Sequence, residues 1–235
     1  MKIPYIAALA ALLLSTSAHA ESYTAQKGID IEKLRQQIEE NQPAAKAAKE
    51  GVTASLTPAQ KATVNEIEKY LTNLTTITAD FMQASPEGDI STGKFYLQRP
   101  GKMRWQYNPP TPILMVARAN TLTFYDYELK QVTNVPLDET LGGFLAQEHI
   151  SFDGDVKLTN FEERPGAVSV TMIQTKRPKD GSLTLEFSLK PLQIRNMIIT
   201  DATNQVTNVS LSNAKFGLKL DRSLFIFEAP GRRNR

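Results

Sequence analysis

The sequence predicts a mainly β fold with helices (α+β), built on one large antiparallel sheet. From Thr76 onward, short segments alternate between apolar and polar residues, which is typical of strands with one dry and one wet face. About ten such segments follow one another, separated by turn residues. In residues 57–74, before these segments, the apolar residues instead recur at the spacing of a helix. A sheet of this width tends to curl or to close on itself, and a curled sheet can enclose a cavity.

The chain begins with the layout of a secretory signal peptide. Lys2 supplies a positive charge, residues 3–14 form an apolar run, and Ala18-His19-Ala20 is a small-x-small cleavage site. The run is too short to span a bilayer comfortably. We therefore expect export, with cleavage after Ala20, and a soluble mature protein.

Composition excludes several kinds of chemistry. With 27 Lys+Arg against 25 Asp+Glu, the chain has a small net charge and therefore no strong electrostatic field. This balance gives no support to nucleic acid as a partner. The absence of cysteine excludes thiol catalysis, Cys-ligated zinc and lipid attachment to an N-terminal cysteine. Once His19 leaves with the signal, only His149 remains, so no two-histidine metal site can form. We expect no metal and no cofactor.

Residues 21–56 read as an N-terminal extension that is flexible and partly helical. Ile31, Leu34 and Ile38 form one narrow apolar stripe at helical spacing, and an Ala/Lys-rich stretch follows. The extension is interpreted as a solvated tether. The alternative is an adaptor helix, residues 31–41, that docks a partner.

Thr57 begins a stronger helix. It is a plausible N-cap, and Pro58 suits the first helical position. Apolar residues then recur at helical spacing at Val64, Ile67, Leu71 and Leu74. The apolar stripe predicts that this helix packs against another part of the protein.

The predicted strands follow in chain order. They are TITADFMQAS, STGKFYLQ, KMRWQY, PILMVARA, TLTFYDY, KQVTNV, AVSVTMIQ, SLTLEFSL, LQIRNMIITD, NQVTNVSLSNA and SLFIFEAP. TLTFYDY and KQVTNV indicate a hairpin that turns near Glu128. PILMVARA is apolar almost throughout, unlike its neighbours.

A long interruption, residues 136–166, separates the hairpin from the later strands. Within it Leu137, Leu141, Phe144 and Leu145 have helical spacing, broken by Gly142-Gly143. We expect one or two short helices with a flexible joint. The segment is either an ordinary connection or a hinged lid with an apolar underside.

Two polar motifs leave alternatives open. Asp153-Gly154-Asp155 is typical of a turn, but a hydrolase could use carboxylates in Glu148–Asp155 together with His149. The tail GRRNR, residues 231–235, is basic; it is either a solvated end or a segment attracted to anionic lipid.

Arg99 stands out in the stretch LQRPGK. It shares a strand face with Phe95 and Leu97 if the strand stays regular up to Pro100. That register aims a guanidinium toward the apolar side, where a charge must be hydrogen-bonded. Periodicity alone leaves open whether Arg99 has a special role.

The ordered run FYLQRPGKMRWQYNPPTPILMVARANTLTFYDYELKQVTNVPLDET resembles the periplasmic outer-membrane lipoprotein carrier proteins, the LolA family. The motifs that carry the resemblance are Arg99-Pro100-Gly101, Arg104-Trp105, Asn108-Pro109-Pro110, Leu122-Thr123-Phe124-Tyr125-Asp126 and the closing LFIFEAP. The resemblance covers residues 57–230, which we take as the carrier-like domain. Met103 stands where the family often has an aromatic residue.

The resemblance implies a curled, unclosed antiparallel β-barrel of ten to eleven strands, with a helical lid over an apolar cavity. It implies a non-enzymatic, monomeric periplasmic chaperone that takes acylated lipoproteins from an inner-membrane ABC transporter. It would deliver them to an outer-membrane receptor lipoprotein or to the outer membrane itself. The missing cysteine points to the carrier rather than the receptor.

Site residues follow from the resemblance together with the strand register. Arg99 would lock the lid, Leu137, Leu141, Phe144 and Leu145 would form its underside, and Gly142 and Gly143 its hinge. The acyl-chain cavity would be lined by Phe81, Phe95, Leu97, Met103, Trp105, Tyr107, Leu122, Phe124, Leu185 and Phe187.

Overall fold

Residues 56–228 are described by a computed structural model, in which one α-helix precedes eleven strands. The helix is α1 (Pro58–Asn73), and the strands are β1 (Thr76–Ala84), β2 (Ile90–Gln98), β3 (Lys102–Tyr107), β4 (Ile113–Arg118), β5 (Thr121–Asp126), β6 (Gln131–Pro136), β7 (Val156–Arg164), β8 (Ala167–Gln174), β9 (Gly181–Leu189), β10 (Leu192–Asp201) and β11 (Val206–Phe216). Short 3₁₀ helices span Leu137–Glu139, Leu141–Ala146 and Arg222–Phe225. The signal peptide, the docking helix 31–41 and the basic tail lie outside the described residues.

Helix α1 begins where the sequence predicts it. The Gln60 amide donates to Thr57 Oγ1 at 3.3 Å and the Thr57 amide donates to Gln60 Oε1 at 2.9 Å, which is a complete capping box. Its apolar stripe buries Val64, Ile67 and Leu71 against the sheet. Capping fixes the start of α1, and this burial holds the helix on the sheet.

The sheet is antiparallel and unclosed. The strand order is β6-β5-β4-β3-β2-β1-β11-β10-β9-β8-β7, so β6 and β7 are its two edges among the described strands. These edge strands are consecutive in sequence, and residues 137–155 connect them. The predicted fold class is confirmed. The chain passes directly from one edge of the open sheet to the other.

Strand β4 is apolar throughout because both of its faces are covered. Ile113, Met115 and Ala117 belong to the main core, beneath α1 and the connection 137–155. Leu114 and Val116 face the other way and form a second cluster with Tyr125 and Phe227. A continuous apolar strand is typical of burial on both faces.

The predicted final strand SLFIFEAP is wrong. Arg222–Phe225 is a 3₁₀ helix, started by the Asp221 carboxylate, which accepts from the Ser223 amide at 2.9 Å. This segment lies over the outer face of β3 and β4, where Arg104 Nη1 donates to Leu224 O at 3.1 Å. Its apolar residues, Leu224 to Phe227, are consecutive, with Phe225 buried and Ile226 exposed, and the segment covers the sheet without adding a strand to it.

Strand β7 was not predicted, and its irregularity explains why. Val156, Leu158 and Phe161 are buried, but the pairing with β8 shifts register between Leu158 and Asn160. A bulge of this kind breaks the period of two by which a strand is recognised.

We predict that Phe225→Ala destabilises the protein much more than Ile226→Ala. Phe225 is 1% exposed and Ile226 is 43% exposed. Loss of a buried phenylalanine costs about 3 kcal/mol of unfolding free energy, whereas the exposed change should stay within about 0.5 kcal/mol. Urea unfolding measures the change in unfolding free energy of both variants. Equal effects would contradict the covering role of this segment.

Candidate functional site

Arg99 joins three parts of the molecule. It follows β2, and its Nε donates to Leu145 O at 2.7 Å while its Nη1 donates to Leu71 O. Leu71 lies in the last turn of α1, and Leu145 lies in the 3₁₀ helix Leu141–Ala146. One guanidinium therefore holds the end of α1 and the connection 137–155 against the same end of the sheet.

The electrostatics of this position suit a cation. The last carbonyls of an α-helix lack their regular partner and carry partial negative charge, so Leu71 O, which also accepts from the Leu74 amide at 3.3 Å, is a favourable acceptor for Arg99. Burial lowers the pKa of Arg99 to about 10, against a smaller opposing effect of the Tyr70 phenol. The guanidinium thus stays charged at neutral pH. Its Nη2 is buried and has no hydrogen-bond partner among the described residues.

We call residues 137–155 the lid segment, and it is fastened at both halves of the sheet. At the β4–β5 turn, the Leu137 amide donates to Asn120 O at 2.9 Å and Asn120 Nδ2 donates to Asp138 Oδ1 at 2.9 Å. On the opposite half, Gln174 Nε2 donates to Asp138 O at 3.2 Å. The lid segment therefore spans the opening between the two halves.

The lid segment is also fastened to α1 and to the β2–β3 turn. The Ile150 amide donates to Thr72 Oγ1 at 3.2 Å, and the Phe152 amide donates to Glu68 Oε1 at 2.6 Å. The Gly101 amide donates to Ala146 O at 2.8 Å. Most of these contacts use main-chain atoms of the lid segment, so they depend on its conformation more than on its side chains.

The predicted underside of the lid faces the core. Leu137, Phe144 and Leu145 are buried, and Leu141 is partly buried against the same cluster. The lid buries further apolar side chains that sequence reasoning missed: Ala146, Ile150 and Phe152. The signal for the last two was present, because Ile150 and Phe152 alternate with exposed His149, Ser151 and Asp153.

The two lid glycines differ in their surroundings. Both lie inside the helix Leu141–Ala146, and the break between the two short lid helices falls at Thr140. A Cβ on Gly143 would lie 2.0 Å from Leu137 O, whereas a Cβ on Gly142 would meet nothing within 4 Å. Close packing thus requires glycine at Gly143. A hinge at these residues stays a prediction.

The ten predicted cavity residues lie in one apolar cluster beneath the lid and α1. Phe95 stacks on Trp105 with ring centroids 4.1 Å apart, and Phe81 packs edge-on against Trp105 at 5.0 Å. Phe81 faces Gly93 across the strand pair, where a Cβ would lie 2.5 Å from its ring. Glycine there makes room for the aromatic group.

One buried polar pair interrupts this apolar lining. Tyr107 OH donates to Gln83 Oε1 at 2.6 Å, and burial raises the pKa of Tyr107, so the phenol remains a neutral donor at pH 7. Gln83 is 5% exposed. The lining therefore offers apolar surface, with polar groups at its two ends, Arg99 at one and this pair at the other.

The carboxylates that a hydrolase would use do not form a buried site. Glu148, His149, Asp153 and Asp155 are all exposed, and Gly154 between the two aspartates has φ +125°, as in a turn. Within residues 56–228 no group of three or more His, Cys, Asp or Glu side chains could hold a metal. The buried site can shield apolar groups and supplies one cation.

We predict that Gly143→Ala loosens the lid segment and that Gly142→Ala does not. The added methyl at Gly143 would collide with a backbone carbonyl, so the two short helices must separate. Amide hydrogen exchange should speed up at residues 141–152 in the first variant only. If both alanine variants exchange like the wild type, the close packing at Gly143 is not a constraint.

Comparison with known proteins places this chain in a family. An outer-membrane lipoprotein carrier protein of Azotobacter vinelandii is 30% identical over 192 residues, covering 76% of this chain and 91% of its own length. One of Legionella pneumophila is 30% identical over 174 residues, with 70% and 84% covered. An uncharacterized protein of Rickettsia prowazekii is 27% identical over 167 residues, with 71% and 77% covered.

Among solved structures, a LolA superfamily protein of Nitrosomonas europaea aligns with a TM-score of 0.42 at 12% identity, covering 70% of this chain and 97% of that one. In residues 56–228 no helix is long and apolar enough to cross a membrane. The family model for the outer membrane lipoprotein carrier protein LolA matches residues 72–228, which include Arg99, the whole sheet and the lid segment. The chain therefore belongs to the LolA family of non-enzymatic periplasmic carrier proteins.

Proposed function

We propose that this chain is a periplasmic chaperone that binds the acyl chains of lipoproteins released from the inner membrane and carries them to the outer membrane. The observation that carries the proposal is the Arg99 bridge. It fastens a lid with an apolar underside over an apolar cluster. The lid occupies the surface that an acyl chain would need, so lid and cargo compete.

Competition between lid and cargo explains how tight apolar binding stays reversible. Each buried methylene contributes about 0.8 kcal/mol, so a multi-acylated anchor offers tens of kcal/mol before binding costs. Opening the lid exposes Leu137, Phe144 and Leu145 and breaks the Arg99 bridge. That cost is subtracted from the gross affinity, which keeps the cargo transferable.

Arg99 is suited to be the latch. A hydrogen bond from a charged donor contributes about 1.5–3 kcal/mol, so the one bond from Arg99 to the lid, at Leu145 O, holds the lid by about that amount. The planar guanidinium reaches both carbonyls at once, which a lysine ammonium does not do. When the lid opens, Arg99 stays bonded to α1, and its Nη2, which has no hydrogen-bond partner among the described residues, is free to donate to a new one.

The transport route is part of the proposal. The signal-peptide layout supports a mature periplasmic chain cleaved after Ala20, and the resemblance supports loading by an inner-membrane ABC transporter. Delivery would be to an outer-membrane receptor lipoprotein or to the outer membrane itself, with the carrier acting as a monomer. Residues 21–56 were predicted as a tether, but Leu56 is buried in the core cluster, so the tether would end at residue 55.

We predict that Arg99→Lys impairs cargo transfer while the protein still folds. Lysine keeps the charge but loses the two-pronged bridge, so the lid no longer closes over the empty site and cargo release slows. The mature protein would be loaded with an acylated lipoprotein, and native mass spectrometry would follow its passage to acceptor membranes.

Arg118→Lys is the matched control, because Arg118 is exposed at the end of β4. Its transfer rate should equal that of the wild type. Normal transfer by Arg99→Lys would refute the latch, and a lasting apo mass of the wild type beside lipoprotein-releasing membranes would refute the carrier function itself.

A further inference from the structure

Gln174 has a polar atom that the closed lid does not use. The residue ends β8, on the strand face that carries Val170 and Met172, and it is 9% exposed. Its neighbour across the strand pair is Val156 of β7, which also lies in the main core. A polar side chain thus ends a row of buried apolar ones, where the apolar cluster meets the lid segment.

The orientation of the Gln174 side-chain amide is fixed by its donor end. Nε2 donates to Asp138 O at 3.2 Å and to Thr140 O at 3.4 Å, both in the lid segment. Turning the amide over would place Oε1 against these two carbonyl oxygens, which can only accept. Oε1 therefore points away from them, and it is buried without a hydrogen-bond partner among residues 56–228.

Holding the lid does not account for this unpaired acceptor. A buried acceptor without a partner is unfavourable, and native proteins keep few of them. Asn120 holds the same lid residue with both ends of its side-chain amide, because Nδ2 donates to Asp138 Oδ1 at 2.9 Å and Oδ1 accepts from the Asp138 amide at 3.1 Å. Gln174 uses only its donor end for the lid, so its acceptor end is left for another group.

The chemistry of Oε1 restricts what that group can be. A glutamine oxygen accepts hydrogen bonds and donates none, so its partner must carry an N–H or O–H group. The ester groups of a diacylglyceryl anchor supply only acceptors. An amide N–H is present where an acyl chain is bound to the amino group of a lipoprotein's first residue, and again at its next peptide bond. A charged amino group would also donate, but placing an ammonium beside one neutral acceptor in a buried site is very costly.

We propose that Gln174 Oε1 accepts a hydrogen bond from an amide N–H at the acylated end of the cargo. The inference rests on the carrier function proposed above and adds a polar contact to it. The acyl chains lie on the apolar cluster, and the amide that joins them to the polypeptide lies at its margin, beside Gln174. The contact pairs an acceptor that the empty carrier leaves unpaired, so it favours the loaded protein over the empty one.

The test is competition between lipopeptides that differ by one methyl group. The mature protein is incubated with equal amounts of a triacylated lipopeptide and of the same molecule methylated on its N-acyl nitrogen, and native mass spectrometry gives the ratio of the two bound forms. A second competition uses methylation of the following peptide nitrogen. Since a hydrogen bond to a buried acceptor contributes about tenfold in affinity, the wild type should prefer the unmethylated lipopeptide by about that factor in one of the two competitions. The competition that shows the preference identifies the N–H.

Gln174→Met separates the cargo contact from the lid contact. Methionine has a similar length but is only a weak acceptor, so the variant loses both the lid hydrogen bonds and the acceptor. Loss of the lid bonds changes the affinity for all the lipopeptides equally and cancels in the ratio, so the ratio should fall to about one. Gln131→Met is the matched control, because Gln131 is exposed at the start of β6, and it should keep the wild-type ratio.

The proposal fails separately from the carrier function. Equal binding of methylated and unmethylated lipopeptides by the wild type in both competitions would overturn it. So would a preference that Gln174→Met retains, because the added methyl would then be excluded by its size alone. Either result leaves the carrier function standing, since the lipopeptides still bind. If the wild type binds none of the lipopeptides, the carrier function fails and this contact fails with it.

Discussion

The contact of α1 and the lid segment with the same end of the sheet depends on one partly buried cation that bonds to backbone carbonyls. Arg99 is placed by the end of β2, and its acceptors are Leu71 O of α1 and Leu145 O of the lid. Neither acceptor carries a full charge, so the guanidinium is held by dipoles in a partly dry place, and burial lowers its pKa. The lid-locking role proposed for Arg99 requires an interaction of this kind, strong enough to favour the closed lid and weak enough to break when cargo binds.

The open sheet is covered by two elements. Among residues 56–228 the eleven antiparallel strands leave β6 and β7 as edges, and the apolar cluster on the sheet includes residues of both α1 and the lid segment. The lid segment links the edge strands β6 and β7 and is bonded to Asn120 on one half and Gln174 on the other. The same chain connection that leaves the barrel unclosed therefore covers its opening.

Periodicity predicted most of this fold because most strands have one dry face. Ile77, Ala79 and Phe81 alternate with polar residues and lie in the core as expected. Prediction from periodicity failed where a bulge or burial on the outer face of the sheet changed the spacing of the apolar residues. Because of the bulge after Leu158, β7 was not predicted. Phe225 and Phe227 pack against the outer face of the sheet, and their apolar segment was wrongly predicted as a strand.

The candidate site was less predictable than the fold, because it depends on contacts distant in sequence. The face of Arg99 could be read from Phe95 and Leu97, but its acceptors at Leu71 and Leu145 are carbonyls, which every residue has. Gly143 was noticed as a glycine, yet only the structure shows that Leu137 O occupies the place of its side chain. Hydrogen bonds to backbone carbonyls, and close contacts between a glycine and the backbone, cannot be predicted from the identity of the residues.

The attachment of the lid at both ends has a kinetic consequence. Since residues 137–155 are joined covalently to β6 and β7, the lid acts as a ligand of its own site at an effective concentration, which for short tethers is in the millimolar range. In the proposed carrier, reclosure would therefore be a first-order event that does not depend on how much carrier the cell contains. On that proposal, a carrier that has released its cargo would close without meeting a second molecule.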